Sequence, residues 1–155
     1  MAINIDIQRI CPLSDSPSDA DIQLWVKTAL DQRESCAELS IRIVNKSESA
    51  ALNHQYRGKQ GATNVLSFPF DAVIPVPLPI PILGDVVICA PVVSKEASQQ
   101  GKIPQAHWAH MVIHGVLHLL GYDHVEDEQA QIMEQLETDI LLSLGYPAPY
   151  TEIHE

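Results

Sequence analysis

The run HGVLHLLGYDH, residues 114–124, constrains the fold most, because it combines three histidines with a helix-ending glycine. On an α-helix, residues four apart share a face about one turn from each other, so His114 and His118 can present their imidazoles to one metal ion. Gly121 follows where a helix C-terminus favours positive φ, and a turn there brings His124 back as a third ligand. Three nitrogen ligands with an open fourth position are typical of a catalytic zinc site. We therefore predict one zinc ion per chain, held by His114, His118 and His124.

Two further histidines lie on the same predicted helix. His110 is four residues before His114, so a pair formed by these two residues is an alternative start for a metal site. We favour the set of 114, 118 and 124 because only this set includes the glycine-assisted turn. For His107 and His110 the sequence predicts helix-face residues, or residues that orient a ligand imidazole.

The composition is that of an ordinary folded protein of 155 residues, with 46% apolar and 19% charged residues. This length favours a single domain over residues 1–155. No stretch approaches the roughly 20 apolar residues that span a bilayer, and the N-terminus lacks the regions of a signal peptide. Cys11, Cys36 and Cys89 have no metal or redox spacing. They therefore indicate reduced packing cysteines and a cytoplasmic location.

The charge is strongly acidic and unevenly distributed. The net charge is −11, and no Lys or Arg follows Lys102. This acidity argues against a general nucleic-acid coat protein, because nonspecific affinity depends on the neutralisation of phosphates. A local basic groove is still compatible with the sequence, since basic residues cluster in the middle of the chain at Arg42, Lys46, Arg57 and Lys59.

The hydrophobic pattern predicts an α+β fold with a four-stranded mixed sheet and five to six helices. The predicted strands include Ile3–Ile7, Leu39–Ile43, Ala62–Phe68 and Leu83–Cys89. The predicted helices include one with Ile22, Trp25, Val26, Ala29 and Leu30 on one face, then residues 46–56, residues 92–101, a metal helix opened by Pro104, and residues 126–144. The alternating prolines of residues 75–81 predict an extended connection. A proline-recognition ligand is a less favoured interpretation of this segment.

A second group of polar residues lies before and within the third predicted strand and in the fourth. Arg57 is the main candidate, because a guanidinium binds phosphate bidentately and keeps its charge, although an Arg at a helix end is often only solvated. Thr63, Asn64 and Ser67 are candidates for ligand contacts or for structural hydrogen bonds. Asp85 lies in an otherwise apolar strand. It is a candidate partner for a cation, orienting residue for a zinc-bound His, general base or structural carboxylate.

Three motifs occur in the order GATNVLSFP (61–69), LGDVVI (83–88) and HWAHMVIHGVLHLLGYDH (107–124). With these motifs, nearly the whole chain resembles the YbeY family of bacterial metal-dependent endoribonucleases. The resemblance implies a zinc-dependent endonuclease for single-stranded RNA that acts in maturation of the 16S rRNA 3′ end and in ribosome quality control. It also implies His114, His118 and His124 as the zinc ligands and Arg57 as a functionally sensitive residue. Asn64 stands where many members of the family carry Asp.

The residues and the resemblance together predict metal-assisted hydrolysis of an RNA phosphodiester, with catalytic roles for His114, Arg57 and, as a candidate general base, Asp85. The expected partners are rRNA, ribosomal particles and ribosomal proteins, with no membrane. Gly115 either leaves space beside the metal for a polynucleotide or permits close helix packing.

Two rival functions share the same motif. The histidine spacing matches the metzincin zinc peptidases, but these carry a general-base Glu where this chain has Gly115. A metallopeptidase would need a carboxylate from elsewhere in the chain. A non-enzymatic ribosome-assembly factor would use the zinc ion only to stabilise its fold.

Overall fold

The computed structural model describes residues 2–11, 16–31, 33, 36–70, 82–123 and 125–150. The described strands are β1 Ala2–Arg9, β2 Cys36–Val44, β3 Val65–Pro69 and β4 Ile82–Cys89. The described helices are α1 Asp19–Leu30, α2 Lys46–Arg57, α3 Ala90–Gln99, α4 Pro104–Leu119 and α5 Asp127–Ser143. The predicted α+β class with four strands is confirmed. The proline-rich segment 75–81 lies outside the described residues.

The sheet is mixed, in the order β1-β2-β4-β3. Strands β1, β2 and β4 are parallel, and β3 pairs antiparallel with β4 at one edge. The alternation seen in the sequence explains the two faces, because successive side chains of a strand point to opposite sides. On one face Ile41, Ile43, Val86 and Ile88 join the main core. On the other face Val44, Leu66, Val87 and Cys89 form a smaller cluster, on which Leu52 of α2 packs.

Helix α4 lies at the centre of the molecule. It packs against β3 and β4 and also contacts α1, α3 and α5. Its sequence is apolar on most sides, as expected of a helix enclosed by other elements. Eleven of its 16 residues are buried. The histidines of α4 are therefore held in a rigid setting. No helix in the described part of the chain is long and apolar enough to span a membrane.

The predicted glycine turn after α4 is confirmed. Gly121 has a φ of 102°, which favours glycine. The N–H of Tyr122 donates to the carbonyl of Leu117 at 3.1 Å, and the N–H of Gly121 donates to the carbonyl of His118 at 3.0 Å. This double hydrogen bond is a Schellman motif, which reverses the chain at the helix end. The reversal returns Asp123 to the vicinity of the α4 histidines, where both line the same cleft.

Strand β3 and helix α3 do not begin at the predicted residues. Strand β3 begins at Val65 and not at Ala62. The preceding residues are held by side chains instead, since Ser49 Oγ and the backbone of Thr63 exchange two hydrogen bonds of 3.0 Å. Helix α3 begins at Ala90, two residues before the prediction. Pro91 lies in its first turn, where a missing N–H costs nothing.

Candidate metal centre

An open cleft of about 540 Å³ lies between α4, β3 and the end of α2. Its lining includes His114 and His118 from α4, Asp123 from the turn that follows, and Arg57 from the end of α2. The whole of β3 lines the same cleft. The structure therefore brings two predicted zinc ligands and the predicted phosphate-binding arginine to one cleft.

The two cleft histidines are close neighbours. The ring centroids of His114 and His118 are 4.7 Å apart, with the ring planes at 79°. Both side chains are partly buried, so each has a protected side and a side that faces the cleft. The spacing of four residues on α4 produces this proximity, as predicted. His124, the third predicted ligand, lies outside the described residues.

A buried carboxylate lies behind His114. Glu137 of α5 is 0% exposed, and its Oε2 is hydrogen-bonded to Nδ1 of His114. Its Oε1 lies 3.0 Å from Nε2 of His110 and also accepts a hydrogen bond from the hydroxyl of Tyr150. Burial alone would raise the pKa of Glu137, but its hydrogen bonds and electrostatic interactions with His110 and His114 outweigh burial and lower that pKa to about 2. Burial and the neighbouring Glu137 raise the pKa of Tyr150.

His110, His114 and Glu137 form a group that could hold a metal ion. One potential ligand atom from each residue lies within 4.8 Å of the other two. The His110–His114 alternative thus acquires a third candidate ligand that the sequence analysis did not identify. His114 is common to both candidate sets, since its Nδ1 is hydrogen-bonded to Glu137 and its side chain also lines the cleft.

His107 and His110 are buried, as expected for helix residues that do not face the cleft. The Nε2 atom of His107 lies 2.9 Å from Oε1 of Glu96, and the Asn64 amide donates to the same carboxylate at 3.2 Å. Burial lowers the pKa of His107 despite its hydrogen bond to Glu96, which raises it. His110 contacts Glu137, which in turn contacts His114, so it is connected to a predicted ligand as the orienting interpretation requires.

Arg57 ends α2 and is exposed. Its guanidinium makes no hydrogen bond or ion pair with any other residue that the structure describes. It is also the only Lys or Arg of the described chain that lines the cleft. The basic cluster predicted from the sequence is divided, because Arg42 lies elsewhere and is paired with Glu48 at 2.6 Å.

The polar residues around β3 line the cleft, but the hydrogen bonds observed for them join parts of the protein to one another. The hydroxyl of Ser67 donates to the carbonyl of Gly115 at 2.9 Å. The side chain of Asn64 accepts from the N–H of Val65 at 2.7 Å and donates to Glu96. The backbone of Thr63 is bonded to Ser49. The structural interpretation of these polar groups thus accounts for the bonds observed.

Asp85 is not brought to the histidine cleft. Its neighbour Val86 packs beneath α4, so the side chain of Asp85 points to the opposite face of the sheet. There it accepts a hydrogen bond from Ser40 and lines a separate cleft of about 530 Å³ with Arg42 and Glu48. This placement does not support the expected roles of Asp85 as general base or as a residue that orients a zinc ligand.

The suggestion that Gly115 leaves a gap for substrate was wrong. Gly115 is buried on the side of α4 that faces the sheet. A Cβ at this position would lie 2.5 Å from Cγ1 of Val86 and 3.3 Å from Cγ2 of Val65. The alternative of close helix packing is therefore confirmed.

Glu137 and Tyr150 were missed by the sequence analysis. The α5 stripe was predicted from Ile132, Met133, Leu136, Ile140, Leu141 and Leu144. Ile132 is in fact 51% exposed, whereas Glu137 is buried. A signal was present, because Glu137 lies four residues after Met133 and four before Leu141, both of which are buried. A carboxylate at such a position needs a partner, and the histidines of α4 supply it.

Known proteins resemble this chain over nearly its whole length. The family model Endoribonuclease YbeY matches residues 11–145. A protein named Endoribonuclease YbeY from Nitrosococcus oceani is 54% identical over 153 residues, which cover 99% of this chain and 100% of that protein. A protein of the same name from Pseudomonas putida is 53% identical over 150 residues, covering 97% of this chain and 94% of that protein.

The fold also matches a solved structure. The solution structure of TM1509 from Thermotoga maritima has a TM-score of 0.56 against this chain. The match covers 97% of this chain and 99% of that one at 19% sequence identity. At this low identity the likeness supports the fold alone.

Proposed function

This chain belongs to the endoribonuclease YbeY family, as its motifs predicted, and on that premise we propose that it hydrolyses phosphodiesters of single-stranded RNA in the histidine cleft. The observation that carries the proposal is that His114, His118 and Arg57 line one cleft. Imidazole and guanidinium groups at one open site suit metal-assisted phosphodiester hydrolysis.

The proposed cofactor is one zinc ion, bound by His114, His118 and His124. Imidazole nitrogens suit zinc, and three such ligands leave a position open for reaction. The rings of His114 and His118 are adjacent and face the cleft, which supports this donor set. When bound, zinc supplies a Lewis acid that activates water at neutral pH. The competing set of His110, His114 and Glu137 is less suited to catalysis, because the Glu137 side chain is fully buried and also hydrogen-bonded to Tyr150.

The proposed substrate contacts come from the two residues at the end of α2. Arg57 binds the phosphate and offsets the negative charge that develops during cleavage. Tyr56 is 59% exposed, packs edge-to-face on Phe68 with ring centroids 5.1 Å apart, and lines the same cleft. An exposed aromatic ring beside a phosphate site offers a surface on which a base of single-stranded RNA stacks. No described residue in the cleft is assigned as the general base.

The proposed cellular role is in the cytoplasm, in maturation of the 16S rRNA 3′ end and in ribosome quality control. The net charge of −11 and the single cationic side chain in the described lining limit the affinity for naked RNA. We infer that ribosomal particles supply the remaining contacts, including basic surface from ribosomal proteins.

A cleavage assay with matched variants tests this function. Purified protein is incubated with Zn²⁺ and an end-labelled single-stranded RNA, and separately with an unstructured peptide. We expect internal cleavage of the RNA alone, loss of cleavage with a chelator, and recovery when zinc is returned. Arg57→Ala should reduce kcat by about 10²-fold, as for removal of one charge-stabilising donor.

Lys59→Ala is the control. It also removes one positive charge, only two residues from Arg57, but the Lys59 side chain is not part of the described cleft lining. It should cleave as the wild type does. Cleavage of peptide but not RNA would support the metallopeptidase instead. Absence of both activities in the zinc-loaded protein would support a non-enzymatic assembly factor.

A further inference from the structure

The hydrogen bonds around Glu137 determine which nitrogen of His114 carries a proton. An ionised carboxylate only accepts hydrogen bonds, so each polar group bonded to Glu137 must donate. The groups are Nδ1 of His114, Nε2 of His110 and the hydroxyl of Tyr150. It follows that Nδ1 of His114 carries a proton. In the neutral ring of His114, Nε2 is then the nitrogen with the lone pair.

This assignment makes Nε2 the nitrogen through which His114 would bind a metal, because Nδ1 is hydrogen-bonded to Glu137. The His114 ring is hydrogen-bonded to Glu137 through Nδ1, and its centroid lies 4.7 Å from that of the His118 ring. His110 obeys the same logic, since its Nε2 donates to Glu137. Its buried Nδ1 has no hydrogen-bond partner among the described groups, as expected for the nitrogen without a proton.

We propose that Glu137 is a positioning residue, which fixes the ring orientation and tautomer of His114 so that Nε2 binds the metal. This inference rests on the proposed function, in which His114 is a zinc ligand. A carboxylate that accepts the N–H of a metal-bound imidazole both orients the ring and makes it a better donor. Nothing in the catalytic proposal requires Glu137 to contact the RNA or the metal.

His110 and Tyr150 hold Glu137 in place. Glu137 lies on α5, whereas His110 and His114 lie on α4, so the carboxylate bridges the two helices. Tyr150 comes from the segment after α5 and lies 3.2 Å from Nε2 of His110 as well as against Glu137. A buried carboxylate with three donors has little rotational freedom, because a rotated side chain would leave charged oxygens without partners. The hydrogen bond from His114 to this fixed carboxylate therefore fixes the orientation of the His114 ring.

The experiment measures metal binding and not catalysis. Zinc affinity is determined by competition with a chromophoric chelator, and the ligands are counted by X-ray absorption of the zinc-loaded protein. Glu137→Gln should weaken zinc affinity by about 10–100-fold, the usual effect of removing such a partner, with the same number of imidazole ligands. Tyr150→Phe should weaken it less, because only one of the bonds to Glu137 is lost.

Glu134→Gln is the matched control, since it removes a carboxylate of the same type from the exposed face of α5. Its zinc affinity should equal that of the wild type. Unchanged affinity in a folded Glu137→Gln variant would overturn the inference, as would loss of a carboxylate ligand from the metal, which would make Glu137 a direct ligand. If Glu137→Gln does not fold by circular dichroism, Tyr150→Phe decides. Failure of the wild type itself to bind zinc would overturn the proposed function instead.

Discussion

At the scale of single residues, polar side chains of the cleft fall into two groups. The side chains of Ser67 and Asn64 form hydrogen bonds with backbone groups, and Asn64 also donates to Glu96. Arg57 has no such partner among the described residues, and its charge is therefore available to a substrate. Arg57 can bind a phosphate without breaking an existing hydrogen bond or ion pair to a described residue. Asp85, by contrast, is already hydrogen-bonded to Ser40.

Replacement of Asp85 by Asn should leave RNA turnover and zinc content unchanged. The carboxylate faces the opposite side of the sheet and is hydrogen-bonded to Ser40, so it is not placed to move a proton in the histidine cleft. Steady-state cleavage and metal content of the folded variant are the measurements. A large loss of turnover with zinc retained would restore Asp85 as the general base.

Replacement of His107 by Gln should alter how stability depends on pH. Burial lowers the pKa of His107, so the unfolded chain binds a proton more readily than the folded one. Neutral His107 therefore stabilises the fold above the unfolded pKa of about 6.5, and this contribution is lost as pH falls through the lowered folded pKa. In urea unfolding with chelator at pH 8 to 5, the stability difference between wild type and variant should shrink towards pH 5. A constant difference would contradict this reasoning.

Residue spacing predicted part of the site because helical periodicity fixes which side chains meet. His114 and His118 were found this way. Glu137 was not, since its partners lie 23 and 27 residues away on another helix. Only the packing of α5 on α4 reveals that contact. Asp85 shows the converse error, because proximity in sequence to buried strand residues did not indicate which face of the sheet it occupies.

At the scale of elements, α4 links the core to the cleft. One side of it rests on Val86 and Val65 of the sheet through Gly115. On the same helix, His114 just before Gly115 and His118 three residues after it face the cleft. The close approach at Gly115 therefore sets the distance of the histidines from β3. This makes Gly115 a structural determinant of the site, although it does not line the cleft.

Gly115→Ala should lower the free energy of unfolding, because the new methyl group meets the stiff side chain of Val86. Overpacking costs about 1–3 kcal/mol, and the gain of about 1 kcal/mol in helix propensity offsets only part of it. In a Val86→Ala background the same substitution should be neutral or stabilising, since the obstructing methyl groups are gone. Denaturant unfolding of the four proteins measures this coupling. Simple additivity would show that the contact is not formed.

The elements themselves were largely predictable, whereas their arrangement was not. Alternation in β1 and β2 and the glycines after α2, α4 and α5 gave most boundaries, because these signals are local. The order β1-β2-β4-β3 depends on pairing between distant segments, which no local pattern reports. The antiparallel β3 at the edge is such a case, and it forms the wall of the cleft.

At the scale of the whole molecule, the charge distribution separates binding from catalysis. The chain carries a net charge of −11, yet the described cleft lining contains an arginine. An acidic surface repels a polyanion at long range, while a single guanidinium still fixes one phosphate at short range. Such a protein discriminates by local contacts more than by general attraction to RNA.

The salt dependence of cleavage should accordingly be shallow on naked single-stranded RNA. Each phosphate contact contributes a slope of about −0.7 to a plot of log affinity against log salt, so one or two contacts give a slope of about −1. The measurement is log kcat/KM against log KCl concentration at low substrate. A slope of about −4 would indicate several phosphate contacts and would contradict the view that Arg57 supplies the main one.

The zinc content of three variants tests the account most directly, because two candidate donor sets share His114. The wild type should contain one zinc ion per chain by elemental analysis. His118→Ala and His124→Ala should lose it, while His110→Ala should retain it. Retention of zinc by His118→Ala together with its loss from His110→Ala would contradict the account and assign the ion to His110, His114 and Glu137.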